Sequence, residues 1–166
     1  EAPEVAGRAG IAYRRLDVTS RDDWTALGAW LADEHGRVDG LVNNAGILRR
    51  SRLQEIRLAD WNHVLAVNLT GPLLGMQTIA PLMTQGGSIV NVSSVNGLRS
   101  FPGLIAYCVS KSAVDHLTRC AALELASKGV RVNAVNPGVT VSNLHRRGGM
   151  SEESYEAFLT RSRETH

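Results

Sequence analysis

Short apolar runs alternate with long amphipathic segments along the chain, and this alternation constrains the fold more than any other feature. In the long segments apolar residues return every three or four positions, which is the period of an α-helix. Strands separated by helices are joined by crossovers and therefore lie parallel. The sequence thus predicts a doubly wound, three-layer α/β fold with helices on both faces of a parallel sheet. The predicted strands are 11–18, 38–42, 88–94 and 130–135, and the predicted helices are 20–36, 60–83, 104–128 and 150–166.

Local breakers refine the helix predictions. Ser20 is expected to cap the first helix, and Gly36 and Gly129 are expected to end the first and third. The helix at 60–83 contains Asn68, Gly71 and Pro72. All three are unfavourable in a helix interior, so a distortion is predicted near them.

Composition narrows the class of protein. Of the 166 residues, 43% are apolar and 20% charged, and the net charge is +2, which fits one globular domain with a core. The arginines form only short clusters, so nucleic-acid binding is not expected. No run of 18 apolar residues and no signal-peptide pattern occurs in the sequence. We therefore expect a cytoplasmic protein with no membrane segment.

The cysteine and histidine content predicts no metal site. Cys108 and Cys120 fall in one predicted helix, where their side chains point apart, so free thiols are expected. The five histidines are scattered without metal-ligand spacing.

The carboxyl ends of the predicted strands mark the expected site. In open parallel sheets ligands bind beyond these ends. The residues that follow the strands are Asp17, the loop 43–46, Ser94 with its neighbour at 93, and the pair 137–138. A binding site is therefore predicted where these four segments meet.

Tyr107 and Lys111 are four residues apart in the predicted helix 104–128. Residues with this spacing share a helix face, and a nearby ammonium favours the phenolate and lowers the pKa of a tyrosine. Such a pair can act as an acid or base, although an exposed pair of this kind is often only a packed ring beside a solvated charge. Ser94, thirteen residues before Tyr107, is a candidate partner.

Five motifs occur in an order and spacing that resemble the short-chain dehydrogenase/reductase family, whose domain is a Rossmann fold binding NAD or NADP. They are Asp17-Val18, Asn43-Asn44-Ala45-Gly46, Asn68, Ser94 with Tyr107 and Lys111, and Asn136-Pro137-Gly138.

The resemblance implies a catalytic set of Asn68, Ser94, Tyr107 and Lys111. Tyr107 would exchange a proton with the substrate oxygen, and Ser94 would orient the substrate carbonyl. Lys111 would lower the pKa of Tyr107 and hold the nicotinamide ribose. Asn68 would interrupt its helix so that a water connects Lys111 to solvent.

The resemblance also implies a cofactor, NAD or NADP, and a small-molecule substrate. The implied cofactor-binding residues are Asp17, Val18, Asn43, Asn44, Ala45, Gly46, Tyr107, Lys111, Pro137, Gly138, Val139, Thr140 and Ser142. Ser142 stands where the family has threonine, and Thr140 is an alternative for that contact. A homodimer or homotetramer formed through the helices at 60–83 and 104–128 is implied as well.

Each residue has a structural alternative. Ser94 could cap the next turn, and Asn68 could be a polar core residue. Asp17 could be a turn or cap residue, and Asn43 and Asn44 could be turn formers. A different class of function, a non-catalytic dinucleotide-binding regulator or scaffold, would keep the fold without the reaction.

One expected element is missing from the sequence. The glycine-rich loop between the first strand and helix of a Rossmann fold, which holds the cofactor pyrophosphate, does not occur in residues 1–166. We therefore expect these residues to be the central and C-terminal portion of a single Rossmann-type domain that lacks its first βαβ unit and its C-terminal end here.

Overall fold

The computed structural model describes residues 10–165, and its elements follow the predicted alternation. The strands are β1 (Gly40–Asn43), β2 (Gly87–Val92) and β3 (Val130–Val135). The helices are α1 (Arg21–His35), α2 (Leu58–Leu65), α3 (Gly71–Ile79), α4 (Ile105–Leu125), α5 (Leu144–Arg147) and α6 (Glu152–Thr165). His166, the last residue of the predicted helix 150–166, lies outside the described residues.

The three strands form one parallel sheet in the order β1-β2-β3. Gly40 lies opposite Ser88, and Gly87 lies opposite Val130. Helices α2 and α3 connect β1 to β2, and α4 connects β2 to β3. The carboxyl ends of the strands therefore meet at one edge, as the sequence predicted, and the α/β fold class is confirmed.

Helices α1, α3 and α4 pack on the same face of this sheet. Their side chains share one core cluster with the sheet, which includes Trp24, Ile79, Ile89 and Val132. Buried and exposed residues alternate along β3, and Val42 in β1 is 64% exposed. Within residues 10–165 the helices thus cover one face of the sheet, and the second helical layer of the predicted three-layer fold is not among them.

The predicted strand at 11–18 is wrong, because residues 11–17 pair with no other strand in the described part of the chain. An extended segment becomes a strand only when a neighbour satisfies its N–H and C=O groups. Val18 nevertheless packs against the core, and its carbonyl accepts a hydrogen bond of 2.9 Å from Trp24 Nε1. Ser20 caps α1 as predicted, since its Oγ accepts from the Asp23 amide.

The predicted distortion of the helix at 60–83 is confirmed. A π-helical turn, Ala66–Thr70, separates α2 from α3, and Pro72 lies in the first turn of α3, where its missing N–H is tolerated. Helix α3 then packs closely on the sheet. A Cβ at Gly75 would lie 2.7 Å from Asn43 Oδ1.

The second half of the chain follows its predictions more closely. A 3₁₀ turn, Ala126–Lys128, extends α4, and Gly129 ends it with a φ of +68°, which glycine adopts without strain. Strand β3 has the predicted bounds. Helix α5 was not predicted, because four residues are too few to show a period. Cys108 and Cys120 are free thiols, and no helix in residues 10–165 is long and apolar enough to cross a bilayer.

Candidate active site

The structure brings the four predicted catalytic side chains together beyond the end of β2. Ser94 follows β2 by two residues, Tyr107 and Lys111 lie in the first two turns of α4, and Asn68 lies in the π-helical turn. All four are buried, with exposed fractions of 8% for Ser94, 6% for Tyr107, 4% for Lys111 and 1% for Asn68. Buried polar groups need partners, and those partners show how the site is held.

Asn68 joins the loop after β1 to helix α4. Its Oδ1 accepts from the Ile47 amide at 2.8 Å, and its Nδ2 donates to the Ile47 carbonyl at 2.9 Å. The same Nδ2 donates to Ser110 Oγ at 3.0 Å, and Ser110 donates to the Tyr107 carbonyl at 2.7 Å. The side chain of Asn68 thus fixes the π-helical turn against the helix that carries Tyr107.

Ser94 combines a capping role with contact to Tyr107. Its backbone is extended, and its Oγ accepts from the Asn96 amide at 3.1 Å at the start of a 3₁₀ turn, Val95–Gly97. Burial raises the pKa of the Tyr107 hydroxyl, and a hydrogen bond with the Ser94 side chain opposes the rise. Tyr107 is therefore a neutral phenol at physiological pH, the form that can donate a proton.

Lys111 is a strongly perturbed lysine. Burial lowers the pKa of its ammonium from 10.5 to about 8, and the negative charge of Asp115 opposes the fall. Its Nζ donates to the Val92 carbonyl at 2.7 Å and lies 5.8 Å from the centre of the Tyr107 ring. A net lowering of the Tyr107 pKa, expected from the nearby Lys111 ammonium, is not found, because burial of the phenol is the largest influence and raises the pKa.

The loop after β1 closes over this cluster. A Cβ at Gly46 would lie 3.6 Å from Lys111 Nζ and 3.7 Å from Asn68 Oδ1. These are ordinary van der Waals distances, so the loop backbone lies beside both side chains without itself requiring glycine at position 46.

Part of the predicted cofactor segment lines a small cavity. The cavity has a volume of about 110 Å³, and its lining includes Val18, Asn43, Asn44 and Ala45. Asp17 precedes the lining residue Val18. Its carboxylate accepts hydrogen bonds from the amide and the hydroxyl of Thr19, and these bonds lower the pKa of Asp17. Asp17 thus also fills the structural role of a turn residue.

Asn43 belongs to a buried polar network within the core. Its Nδ2 donates to Asn91 Oδ1 at 2.8 Å, and Asn91 donates to Thr118 Oγ1 at 2.9 Å. Thr118 in turn donates to the Val114 carbonyl at 2.8 Å. The network connects the end of β1, the middle of β2 and helix α4, so Asn43 holds the sheet as well as bordering the cavity.

The segment after β3 divides into two parts. The Val95 amide donates to the Pro137 carbonyl at 3.1 Å, so the chain at 137 lies beside Ser94. Gly138, Val139 and Thr140 are exposed.

Farther along, the backbone of Ser142 is anchored from α6. The Tyr155 hydroxyl accepts from the Ser142 amide and donates to its carbonyl, both at 3.1 Å. Ser142 Oγ accepts a weaker bond from the Leu144 amide at 3.3 Å.

A second cavity lies apart from the four predicted catalytic residues. A larger cavity of about 470 Å³ is bordered by residues such as Leu53, Phe101 and Val109, and none of the four predicted catalytic residues lines it.

Within the described residues, no group of three histidine, cysteine or acidic side chains is placed to hold a metal ion.

Sequence reasoning missed several residues that support the site, namely Ser110, Asn91, Thr118, Asp115 and Tyr155. A signal existed for two of them. Asp115 stands four residues after Lys111, the same spacing that singled out Lys111 itself. Asn91 is a polar residue inside an apolar strand, where an unpaired amide would be costly.

Comparison with known proteins shows similarity to a single family. Residues 2–152 match the family described as short chain dehydrogenase. A trans-4-hydroxycyclohexanecarboxylate dehydrogenase from Sinomonas cyclohexanicum is 39% identical over 133 residues, covering 80% of this chain and 51% of that protein. A 3-alpha-(or 20-beta)-hydroxysteroid dehydrogenase from Mycobacterium bovis is 36% identical over 154 residues, covering 92% of this chain and 58% of that protein. The chain thus spans a little over half the length of these two relatives.

A solved structure shows the same fold. The crystal structure of a short-chain dehydrogenase from Streptomyces avermitilis superimposes with a TM-score of 0.77 at 34% identity. The match covers 84% of this chain and 53% of that one.

Proposed function

The chain belongs to the short-chain dehydrogenase family, and from this premise we propose that the whole protein transfers a hydride between NAD or NADP and an alcohol or carbonyl substrate. The observation that carries the proposal is the buried cluster of Ser94, Tyr107, Lys111 and Asn68 at the carboxyl edge of the sheet. A phenol, an ammonium and a hydroxyl converge there, and perturbed titratable groups of this kind concentrate at functional sites.

The residues present fit a nicotinamide cofactor. The small cavity lined by Asn43, Asn44 and Ala45 would take part of the nucleotide, and the backbone near Gly46 lies beside Lys111 Nζ. Lys111 and Tyr107 would hold the nicotinamide ribose, and the hydroxyl of Ser142 would contact the nicotinamide. When bound, the cofactor supplies or accepts the hydride.

The protein's own residues would manage the proton. Tyr107, held neutral by burial, donates its proton to the carbonyl oxygen in the reduction direction and receives one in oxidation. Ser94 hydrogen-bonds the same oxygen and fixes its position. Lys111, charged below a pKa of about 8, favours the phenolate that Tyr107 becomes after donation. Asn68 keeps the π-helical turn in place, from which a water would connect Lys111 to solvent.

We propose a secondary alcohol on or beside a saturated ring as the substrate class. The two curated relatives described above are named for a hydroxycyclohexanecarboxylate and for hydroxysteroids. The cyclohexane hydroxyl and the 3-alpha hydroxyl lie on saturated rings, and the 20-beta hydroxyl lies on the steroid side chain, so all three are secondary alcohols on or beside a saturated ring. Cyclic and acyclic alcohols of matched size distinguish this class from a general alcohol dehydrogenase.

Turnover by the whole protein tests the proposal. Oxidation of cyclic and acyclic alcohols with NAD and NADP, and reduction of the matching ketones, would be followed by nicotinamide absorbance. Tyr107→Phe removes only the proposed acid and is expected to lower kcat/KM by about 10²–10⁴. Tyr13→Phe, at a tyrosine that is 48% exposed, is the matched control.

Two results would count against the proposal. Undiminished turnover by Tyr107→Phe would reject the acid/base role. Cofactor binding by the wild-type protein without turnover of any compound would favour a non-catalytic dinucleotide-binding regulator.

We further propose a homo-oligomer formed through the helices on either side of the π-helical turn and through α4. Large apolar side chains on these helices are exposed, as at Leu58 (72%), Val109 (42%) and Leu123 (82%). Exposed apolar patches of this kind mark association surfaces. Sedimentation analysis of the wild-type protein and of Leu123→Glu would test it, with dissociation expected for the variant.

A further inference from the structure

A second polar cluster lies directly behind Ser94. Asn136, the residue after β3, directs its Nδ2 at three oxygens. It donates to the Ser94 carbonyl at 3.0 Å and to the two carboxylate oxygens of Asp115, each at 3.1 Å. Asp115 lies on α4 one turn after Lys111. The cluster therefore joins the end of β3, the end of β2 and the helix that carries Tyr107 and Lys111.

The loop after Ser94 presses against the same turn of α4. A Cβ at Gly97 would overlap Asp115 Oδ2 and lie 3.0 Å from the Lys111 carbonyl oxygen. Ser93 Oγ also donates to that carbonyl at 3.1 Å. The backbone around Ser94 thus packs tightly on the turn of α4 from Lys111 to Asp115. A small displacement of Asn136 or Asp115 would therefore move the Ser94 backbone as well.

The position of Asn136 before Pro137 has a simpler interpretation, since asparagine often forms turns before proline. The observed bonds do not support that role. The amide does not bond its own loop but reaches residues 21 and 42 positions away in the chain. Bonds to a carboxylate are stronger than neutral ones, which favours a fixed orientation of the Asn136 amide.

We propose, on the basis of the function proposed above, that Asn136 and Asp115 are positioning residues that hold the main chain of Ser94 against α4, and that Asp115 also supplies the counter-charge of Lys111. The two roles are separable, because the first depends on hydrogen bonds and the second on charge. Asp115→Asn is nearly isosteric and keeps an acceptor for Asn136, but it removes the charge. Asn136→Ala removes the bonds and keeps the charge.

The surroundings of Lys111 allow the charge role to be isolated. Asp115 and the Tyr107 ring face it from α4, and the contacts from other elements are uncharged, namely the Val92 carbonyl and Gly46. The charge of Asp115 opposes the lowering of the Lys111 pKa by burial. Without that charge the ammonium loses its proton at a lower pH.

The first measurement does not depend on activity. Backbone amide hydrogen exchange of residues 94–98 is measured by mass spectrometry on the whole protein. Asn136→Ala is expected to speed exchange about tenfold, as the loss of a buried hydrogen bond allows local opening. Asp115→Asn should change it less than twofold. Asn133→Ala, at an exposed asparagine in β3, is the matched control, and equal exchange in the two alanine variants would overturn the positioning role.

If Asn136→Ala does not fold, Asp115→Ala removes the two carboxylate acceptors that orient the Asn136 amide and allows the same measurement. The expected result is again about tenfold faster exchange of residues 94–98. Exchange equal to that of the wild type would overturn the proposal.

The second measurement uses turnover of a cyclic alcohol from the panel above. Asn136→Ala is expected to lower kcat about tenfold with the cofactor KM within twofold, since Ser94 is displaced but the cofactor contacts remain. Asp115→Asn is expected to move the pH limb that depends on charged Lys111 to lower pH, whereas Glu124→Gln, at an exposed carboxylate of α4, should not. An unmoved limb in Asp115→Asn would overturn the counter-charge role. Absence of turnover in the wild type would reject the proposed function and leave the exchange result to decide the positioning role.

Discussion

Replacing Lys111 with methionine is expected to stabilise the protein at pH 7 and to abolish its activity. Methionine fills a similar volume without a charge, so the cost of burying an ammonium disappears. Lys111 is 4% exposed. Within the described residues, Asp115 is the one charged group that stabilises its ammonium. Lys111, which we propose takes part in proton transfer, would then lower the stability of the folded protein.

The magnitude follows from the pKa. The fall from 10.5 to about 8 corresponds to about 3 kcal/mol in the free energy of unfolding at pH 7. The variant also loses the hydrogen bond from Nζ to the Val92 carbonyl, which lowers its stability by about 1 kcal/mol. The net stabilisation is therefore about 2 kcal/mol. Between pH 8 and 10.5 the unfolded chain holds a proton that the folded protein has released, so wild-type stability rises with pH in this window. At pH 10 the penalty is about 1 kcal/mol, and the two proteins should be about equally stable.

Urea unfolding of both proteins at pH 7 and pH 10 measures this difference. Lys128→Met, at the only other lysine of the sequence, is the control because Lys128 is exposed, and it should change stability by less than about 0.5 kcal/mol at either pH. Equal stabilities of the wild type and Lys111→Met at pH 7 would refute the reasoning. A difference that persists unchanged at pH 10 would do so too.

Three further substitutions test other parts of the structure. Thr118→Val removes the acceptor of the fully buried Asn91 amide and should cost about 1–3 kcal/mol in urea unfolding, more than Thr118→Ser, which keeps the hydroxyl. Tyr155→Phe releases the Ser142 backbone and should weaken cofactor binding several-fold by calorimetry with the helix content unchanged; unaltered affinity would contradict this. Asn68→Ala removes three hydrogen bonds of a side chain that is 1% exposed and should cost about 2–3 kcal/mol, and a loss below about 1 kcal/mol would show that those bonds are replaced.

Sequence patterns predicted best those helices and strands that have a residue such as glycine or proline marking the boundary at each end. Strand β3 was predicted to the residue because a short segment rich in valine lies between Gly129, which ends the preceding helix, and Pro137, which cannot continue the strand. The segment 11–18 failed for the opposite reason. Its alternation is typical of a strand, but a strand depends on a neighbour that no local pattern reveals.

The clustering of Ser94, Tyr107, Lys111 and Asn68 could be predicted because their spacing is local or typical of a family, whereas the residues that support them could not. The partner of Asn91 on α4 is 27 residues away in the chain, and that of Ser142 lies on a helix beyond an aperiodic loop. The perturbation of the Tyr107 pKa also escaped prediction. The i,i+4 spacing shows which charge is near, but burial, which decides the sign here, appears only in the folded structure.

The π-helical turn Ala66–Thr70 has a consequence for insertions and deletions. A π-helical turn contains one residue more than an α-helical turn, so removing a residue from it would restore regular α-helical bonding and satisfy the local backbone. The relative placement of α2 and α3 would change little, because the residue removed is the one that the wide turn accommodates, and Gly75 would stay against Asn43. The deletion would instead remove the wide turn that holds the Asn68 side chain against Ile47 and Ser110. The fold should therefore tolerate this shortening better than the candidate site does.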